Sequence, residues 1–344
     1  MFEFEKLVRT NIIALKPYSS ARDEFNGEAV IFLDANENPF GDFNRYPDPH
    51  QQTLKDKLKE LKKVSSNQIF IGNGSDEVID LLIRVFCIPS IDKVIICPPT
   101  YGMYEVAANI NDVSIINVPL TPSFQLDIEA LQKVISQSAV NTIKIIFLCS
   151  PNNPTGNSID HIDWVLTHFN GIVVVDEAYI DFSERSSFIE KLAFYPNLVV
   201  VQTFSKAWGL AAARIGVAYA SEAVIALMQK IKPPYNVSSL NQEAALKALE
   251  NNHVVEHHKV PILEQRTYLA TSLSQLSFVK RVYPSDANFI LIEVDDAELL
   301  YAYLVRTKIV IRNRSSLIKN CLRITIGTEI ENKYLIEVLK CYAP

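Results

Sequence analysis

Leu198-Val-Val-Val-Gln-Thr-Phe-Ser-Lys206, continued by Ala-Trp-Gly-Leu210 and by Ala211-Ala-Ala-Arg214, is the stretch on which the fold and the chemistry turn. It opens as a Val-rich run without polar alternation, the pattern of a strand buried on both faces of a parallel sheet. It closes on a lysine among small and apolar residues, where an ammonium group is out of place. Desolvation there lowers the pKa and favours the neutral amine, the form that attacks an aldehyde carbon to give a Schiff base.

Working outward, similar runs stand at Lys93–Cys97, Val113–Val118, Ile143–Cys149, Ile172–Val175 and Ile215–Ala220, with helical patterns at Asp127–Ser136 and Ser158–Phe169. That rhythm predicts an α/β domain, helices packed over a largely parallel sheet. Gln51–Lys63 reads as an exposed amphipathic helix and Val78–Phe86 as a buried one. Past Lys232-Pro-Pro-Tyr235 the pattern turns helical through residue 275. From Phe278 the order is strand, strand, helix, strand, strand, helix, which suits a smaller α+β domain ending near Tyr342. The expected division is 1–45, an irregular Pro-containing segment packing with the small domain, 46–250, the large domain, and 251–344, the small one.

The 344 residues carry a net charge of -6 with 21% charged side chains, so a general nucleic-acid or anionic-membrane role has no electrostatic support. No apolar run reaches transmembrane length, and the first residues lack the layout of a signal peptide. Five scattered cysteines read as reduced thiols of a cytoplasmic protein. His253, His257 and His258 read as a solvated helix face; no metal site is expected.

Four polar signals stand at the ends of the strands, where open α/β sheets bind ligands. Gly72-Asn-Gly74-Ser75-Asp76 precedes a helix, and its free amides with the helix dipole suit a phosphate. Ser150-Pro-Asn-Asn153-Pro-Thr-Gly follows a strand and could equally be an ordinary turn. Val173-Val-Val-Asp176 ends a run apolar enough to bury its carboxylate, which then needs a partner, and Tyr179 lies three residues on. Thr203, Ser205 and Lys206 form the fourth, with Arg214 eight residues after the lysine.

In order and spacing, Gly74-Ser75-Asp76, Tyr101, Asn153, Asp176, Tyr179, Ser205-Lys206 and Arg214 resemble the fold-type I pyridoxal-phosphate (PLP) aminotransferases over essentially the whole chain. The resemblance implies a large domain with a mostly parallel seven-stranded sheet plus a smaller α+β C-terminal domain. It implies that Lys206 bonds to the PLP aldehyde and that Asp176 keeps the pyridine nitrogen protonated. Asn153 and Tyr179 would bind the ring's phenolic oxygen, and Tyr101 would stack on the ring. Gly74, Ser75, Asp76, Ser205, Arg214 and Thr203 would hold the phosphate.

Finer motifs are similar to the histidinol-phosphate aminotransferase family: Leu15-Lys-Pro-Tyr18-Ser-Ser-Ala-Arg22, Leu33-Asp-Ala-Asn36-Glu-Asn, Asn44-Arg-Tyr46-Pro, Lys232-Pro-Pro-Tyr-Asn-Val-Ser, Ser285-Asp-Ala-Asn288, Ile309-Val-Ile-Arg312 and Cys321-Leu-Arg323-Ile-Thr-Ile-Gly-Thr. That resemblance implies transamination of histidinol phosphate with 2-oxoglutarate in histidine biosynthesis. An aromatic-amino-acid aminotransferase or a threonine-phosphate decarboxylase is the alternative on the same scaffold. Tyr18, Asn36, Arg312 and Arg323 would bind the substrate anion, in a homodimer whose Tyr46 crosses to the neighbouring cofactor phosphate. Arg323, within a strand pattern, needs such an anionic partner, whereas Arg314 reads as a surface residue on an edge strand. Ala211-Ala-Ala213 stands where the family often has glycine, with the Lys206-to-Arg214 spacing kept.

Overall fold

The computed structural model describes residues 4–19, 31–137 and 142–342. Seven strands, β1 (Ile69–Asn73), β2 (Lys93–Ile96), β3 (Ser114–Asn117), β4 (Ile143–Cys149), β5 (Ile172–Asp176), β6 (Leu198–Thr203) and β7 (Ile215–Ala220), form one sheet. Their order is β1-β7-β6-β5-β4-β2-β3. Side chains alternate across each strand, so one run feeds two cores. Val174 and Val199 enter one, with Val78, Leu82 and Phe86 of the helix Ser75–Phe86. Val173, Val175 and Val200 enter the other, with Leu54, Val165 and Ala245 from three further helices.

Direction is where sequence pattern and structure part. The pairs β2/β3, β2/β4, β4/β5 and β5/β6 are parallel. Strand β7 runs antiparallel to both β1 and β6. Its side chains are buried on both faces like those of its parallel neighbours, and burial sets hydrophobic pattern without encoding direction. β1 was not expected as a strand, because its five residues end in Gly-Asn and blend into the turn after it. β3, expected to be apolar on both faces, is the edge strand and exposes Ser114 and Asn117.

The second sheet, β8 (Val279–Val282), β9 (Phe289–Val294), β10 (Arg312–Asn313) and β11 (Cys321–Thr325), has the order β10-β11-β9-β8 and is antiparallel throughout. The helices Ala297–Arg306 and Glu329–Lys340 share a separate core with it, reproducing the expected strand and helix order. It docks on the loop after β4, where the Asp286 amide donates to the Gly156 carbonyl at 2.7 Å and the Ser158 hydroxyl to the Asp286 carboxylate at 2.6 Å. One expectation is corrected. The start of the N-terminal segment packs on the larger sheet's helices, because Leu7, Val8 and Ile12 are apolar enough to enter that core. The Arg9 amide also bonds the Val85 carbonyl at the end of the helix Ser75–Phe86.

The reversed β7 lies tight against the loop after β1. A Cβ on Gly216 would sit 2.2 Å from the Ser75 nitrogen and 2.3 Å from the Gly74 carbonyl carbon. Those atoms are backbone and cannot swing aside, so Gly216→Ala should destabilise the fold by ~1–3 kcal/mol, the usual cost of overpacking. Chemical denaturation of wild type and variant checks this; an unchanged midpoint would refute the tight approach.

Candidate active site

The C-terminal ends of the parallel strands and the start of β7 meet at one edge of the sheet, where a cavity is lined by Ser75, Asp76, Tyr101, Asn153, Asp176, Tyr179, Thr203, Ser205, Lys206 and Arg214. Gly74 caps the helix Ser75–Phe86 at φ +81°, a conformation side chains resist, and turns the free amides of the first helical turn toward the cavity. Arg214 stands over this loop, its guanidinium 3.5 Å from the Asp76 carboxylate and 3.4 Å from the Ser205 hydroxyl. Helix amides, a hydroxyl and a guanidinium make an anion cradle. Thr203 lines the cavity too, but its hydroxyl donates to the Ile215 carbonyl and accepts from the Ser205 amide, both at 3.1 Å. It fixes the turn that presents Ser205.

Asp176 ends β5 with 3% exposure. One oxygen accepts from the Tyr104 hydroxyl at 2.7 Å and the other from the Ala178 amide at 3.1 Å. Burial raises its pKa to about 6 in spite of those bonds. An acid so placed favours a cation close by. Lys206 shows the converse: burial and the Arg323 charge hold its amine below the ordinary lysine range, with Asp176 opposing them. Its Nζ lies 5.6 Å from the centre of the Tyr179 ring.

The smaller domain closes the cavity with Arg312, Arg314 and Arg323. β11 pairs Arg323 with Arg312 of β10, so the two guanidinium-bearing residues face the same way across the sheet. Arg323 Nη1 donates to the Asn153 Oδ1, and its guanidinium sits 5.1 Å from the centre of the Phe289 ring. The sequence reading of Arg314 as a surface residue is corrected. It lines the cavity, and its Nε is buried without a partner, because the edge strand ends at Asn313 and the chain turns inward.

The Aminotransferase class I and II family model matches residues 24–339. The chain belongs to the class I and II aminotransferases. It is 54% identical to a histidinol-phosphate aminotransferase of Cytophaga hutchinsonii, with 99% of each chain covered. A histidinol-phosphate aminotransferase of Parabacteroides distasonis is 53% identical, again with 99% of each covered. Among solved structures, the histidinol-phosphate aminotransferase from Clostridium acetobutylicum superposes with a TM-score of 0.79 at 26% identity, covering 87% of this chain and 90% of that one. That from Sinorhizobium meliloti, in complex with pyridoxal-5'-phosphate, gives 0.78 at 24% identity with 90% of each covered.

Three expected site residues of this aminotransferase lie away from the cavity within the single chain. Tyr18 is 72% exposed and borders a separate hollow with Arg9 and Arg84. Asn36 and Tyr46 line a third with Phe43, and Tyr46 stacks on Tyr235 at 4.3 Å between ring centres. Ser20, Ala21 and Arg22 of the first motif fall outside the described residues. In the other direction, sequence reasoning missed Tyr104 and Gly216. Tyr104 follows Tyr101 by three residues, so the helix Met103–Ile110 turns it inward, where it stacks on Phe147 at 4.9 Å and is fully buried.

Tyr104 donates to the ionised form of Asp176 and so lowers its pKa. Tyr104→Phe should therefore raise that pKa above about 6 and move the acid limb of cofactor binding to higher pH. At neutral pH, binding should weaken about three- to tenfold, the scale of one buried hydrogen bond. Titrating cofactor binding across pH tests this; an unmoved acid limb would show that the phenol does not act on Asp176.

Proposed function

We propose that this aminotransferase carries pyridoxal 5'-phosphate in the cavity described and converts L-histidinol phosphate and 2-oxoglutarate to imidazole-acetol phosphate and L-glutamate. One observation carries the reading. A buried carboxylate short of a cation, an amine of lowered pKa and an anion cradle share one cavity, faced by a wall of arginines that have no carboxylate partner among the described residues. The names of relatives more than half identical along their full length support the same reaction.

The residues fit the cofactor. The Gly74 turn, at φ +81°, strains any side chain, and a Cβ there would meet the Arg214 guanidinium, 2.6 Å from its Nη2. The amides of Ser75 and Asp76, with Ser205 and Arg214, would hold the phosphate, while the expected Gly74 amide is taken up by the Gly72 carbonyl at 2.9 Å and shapes the turn instead. Asp176 would supply the negative charge that keeps the ring nitrogen protonated, and Asn153 and Tyr179 would donate to the phenolic oxygen. Tyr101, its hydroxyl bonded to Asp76 at 3.0 Å, forms the wall beside the ring. When bound, PLP supplies an aldehyde that condenses with amines and a ring that takes up the electron pair released at the substrate Cα.

This chain's own part is acid–base work and positioning. Lys206 would hold the cofactor through its amine and, once freed, would take the proton from the substrate Cα on Nζ. Burial and the Arg323 charge hold its pKa below the ordinary lysine range, which favours the neutral form that such a transfer needs. Arg323, braced by Asn153, binds the anionic end of each substrate in turn, and Arg312 joins it. The same subsite accepts the phosphate of one substrate and a carboxylate of the other.

The apolar side chains Ile31, Leu33, Phe40 and Phe43, each at least 73% exposed, support burial against a second copy of the chain. In that homodimer Tyr46 and Asn36 reach the partner's cavity. The buried free thiols Cys87, Cys97, Cys149 and Cys321 suit the reducing cytoplasm, and among the described residues no helix is long and apolar enough to cross a membrane.

Lys206→Ala should keep the cradle and bind PLP without a covalent bond, while the half-reaction with histidinol phosphate slows about a thousandfold or more. Single-turnover absorbance of the bound cofactor reads both outcomes, and wild-type turnover in the variant would overturn the role of Lys206.

A further inference from the structure

The arginine wall holds more positive charge than a carboxylate can answer. Among the described residues, neither Arg312, Arg314 nor Arg323 forms an ion pair, although all three line one cavity. Elsewhere in the cavity, Arg214 stands 3.5 Å from the Asp76 carboxylate. Arg323 has one strong neighbour in Asn153, and its Nε remains buried and unpartnered. Arg314 shares that condition, with its own Nε buried and unpartnered. Burial, with the Arg323 and Arg312 charges beside it, pushes the Arg314 guanidinium down to about 10.

Arg314 is also held in place. Its amide donates to the Cys321 carbonyl at 2.9 Å, and its own carbonyl accepts from the amides of Leu317 and Ile318, both at 2.9 Å. A guanidinium fixed on a closed turn, partly desolvated and repelled by two others, costs stability until an anion arrives. A monoanion offsets part of that repulsion. A dianion offsets more, and its three oxygens can meet donors from more than one guanidinium.

We propose that Arg314 is a specificity-determining residue, the third cation of the substrate-anion subsite, and that it selects a phosphate monoester dianion over a carboxylate. The assignment rests on the proposal that Arg312 and Arg323 receive the substrate's anionic end. Lys206, Asp176 and Arg214 keep their roles without it, so its loss shows in substrate choice and leaves the chemistry intact.

The test is the PLP-loaded Arg314→Gln enzyme in two single-turnover half-reactions, one with histidinol phosphate and one with glutamate. The concentration giving half-maximal rate should rise about ten- to a hundredfold for histidinol phosphate, the worth of a hydrogen bond to a charged group. For glutamate it should change less than about threefold, with both limiting rates held within about twofold. Wild-type binding of histidinol phosphate should tighten as pH rises through about 6, where the dianion forms, and Arg314→Gln should flatten that dependence. Arg314→Lys, which keeps the charge, should recover most of the preference.

Inorganic phosphate, tested as an inhibitor of the glutamate half-reaction, provides a readout that does not depend on which phosphate ester is the substrate. It should inhibit the Arg314→Gln enzyme about tenfold or more weakly than wild type. Equal losses for both substrates, or unchanged phosphate inhibition, would overturn the role of Arg314. If wild type fails to turn over histidinol phosphate, the substrate reading fails alone, and phosphate inhibition still decides the residue.

Discussion

Everything at the active edge depends on the close passage of β7 across the loop after β1. Because β7 runs against its neighbours, its first residue lies at the edge where the parallel strands end. The chain therefore leaves β6, presents Ser205 and Lys206, turns through Ala211–Ala213 and places Arg214 within 3.5 Å of Asp76 before re-entering the sheet. Gly216, between Gly72 and Thr203 in the register, lets the backbone approach that closely. A side chain there would push the anion cradle and the lysine apart together.

Around that edge the charges form two compartments with different needs. In the inner one, Asp176 is taken from water at the end of a fully buried strand and accepts from a phenol and an amide. It waits for a cation, and the lysine beside it is held toward the neutral state by the same dry surroundings and by Arg323. In the outer one, three arginines wait for an anion. A cofactor with a protonated ring and a substrate with a charged tail answer both needs, so binding and activation share one source of free energy.

The two sheets meet where this division runs. Arg323 comes from the smaller domain and Asn153 from the larger, and one hydrogen bond joins them across the cavity. Gly156, at φ +86°, has no room for a side chain against Ser285, so the domain junction is as tight as the cradle. Phe289, which lies beneath Arg323, packs edge-on against Tyr179 at 5.1 Å. Motion of the smaller sheet would therefore be felt directly by side chains that line the cavity.

Much of this was legible in the amino-acid order. Val-rich runs declare buried strands because burial on both faces leaves no place for polar alternation, and Lys206, Asp176 and Arg214 stand out as charges at the ends of such runs. Tyr104 and Gly216 did not stand out, because a tyrosine in a helix and a glycine in a strand acquire meaning only from what lies across from them. Arg314 was misjudged for the same reason: as the residue just after a short edge strand, it takes its direction from a turn. Tyr18, Asn36 and Tyr46 were singled out as motif residues, yet within one chain they lie away from the cavity. The sequence by itself determined most of the strands and the chemistry at their ends, since hydrophobic burial is written locally. Strand direction, the approach of Gly216 to Ser75 and the convergence of three arginines were decided only by tertiary structure, because each depends on which distant backbone comes to lie alongside.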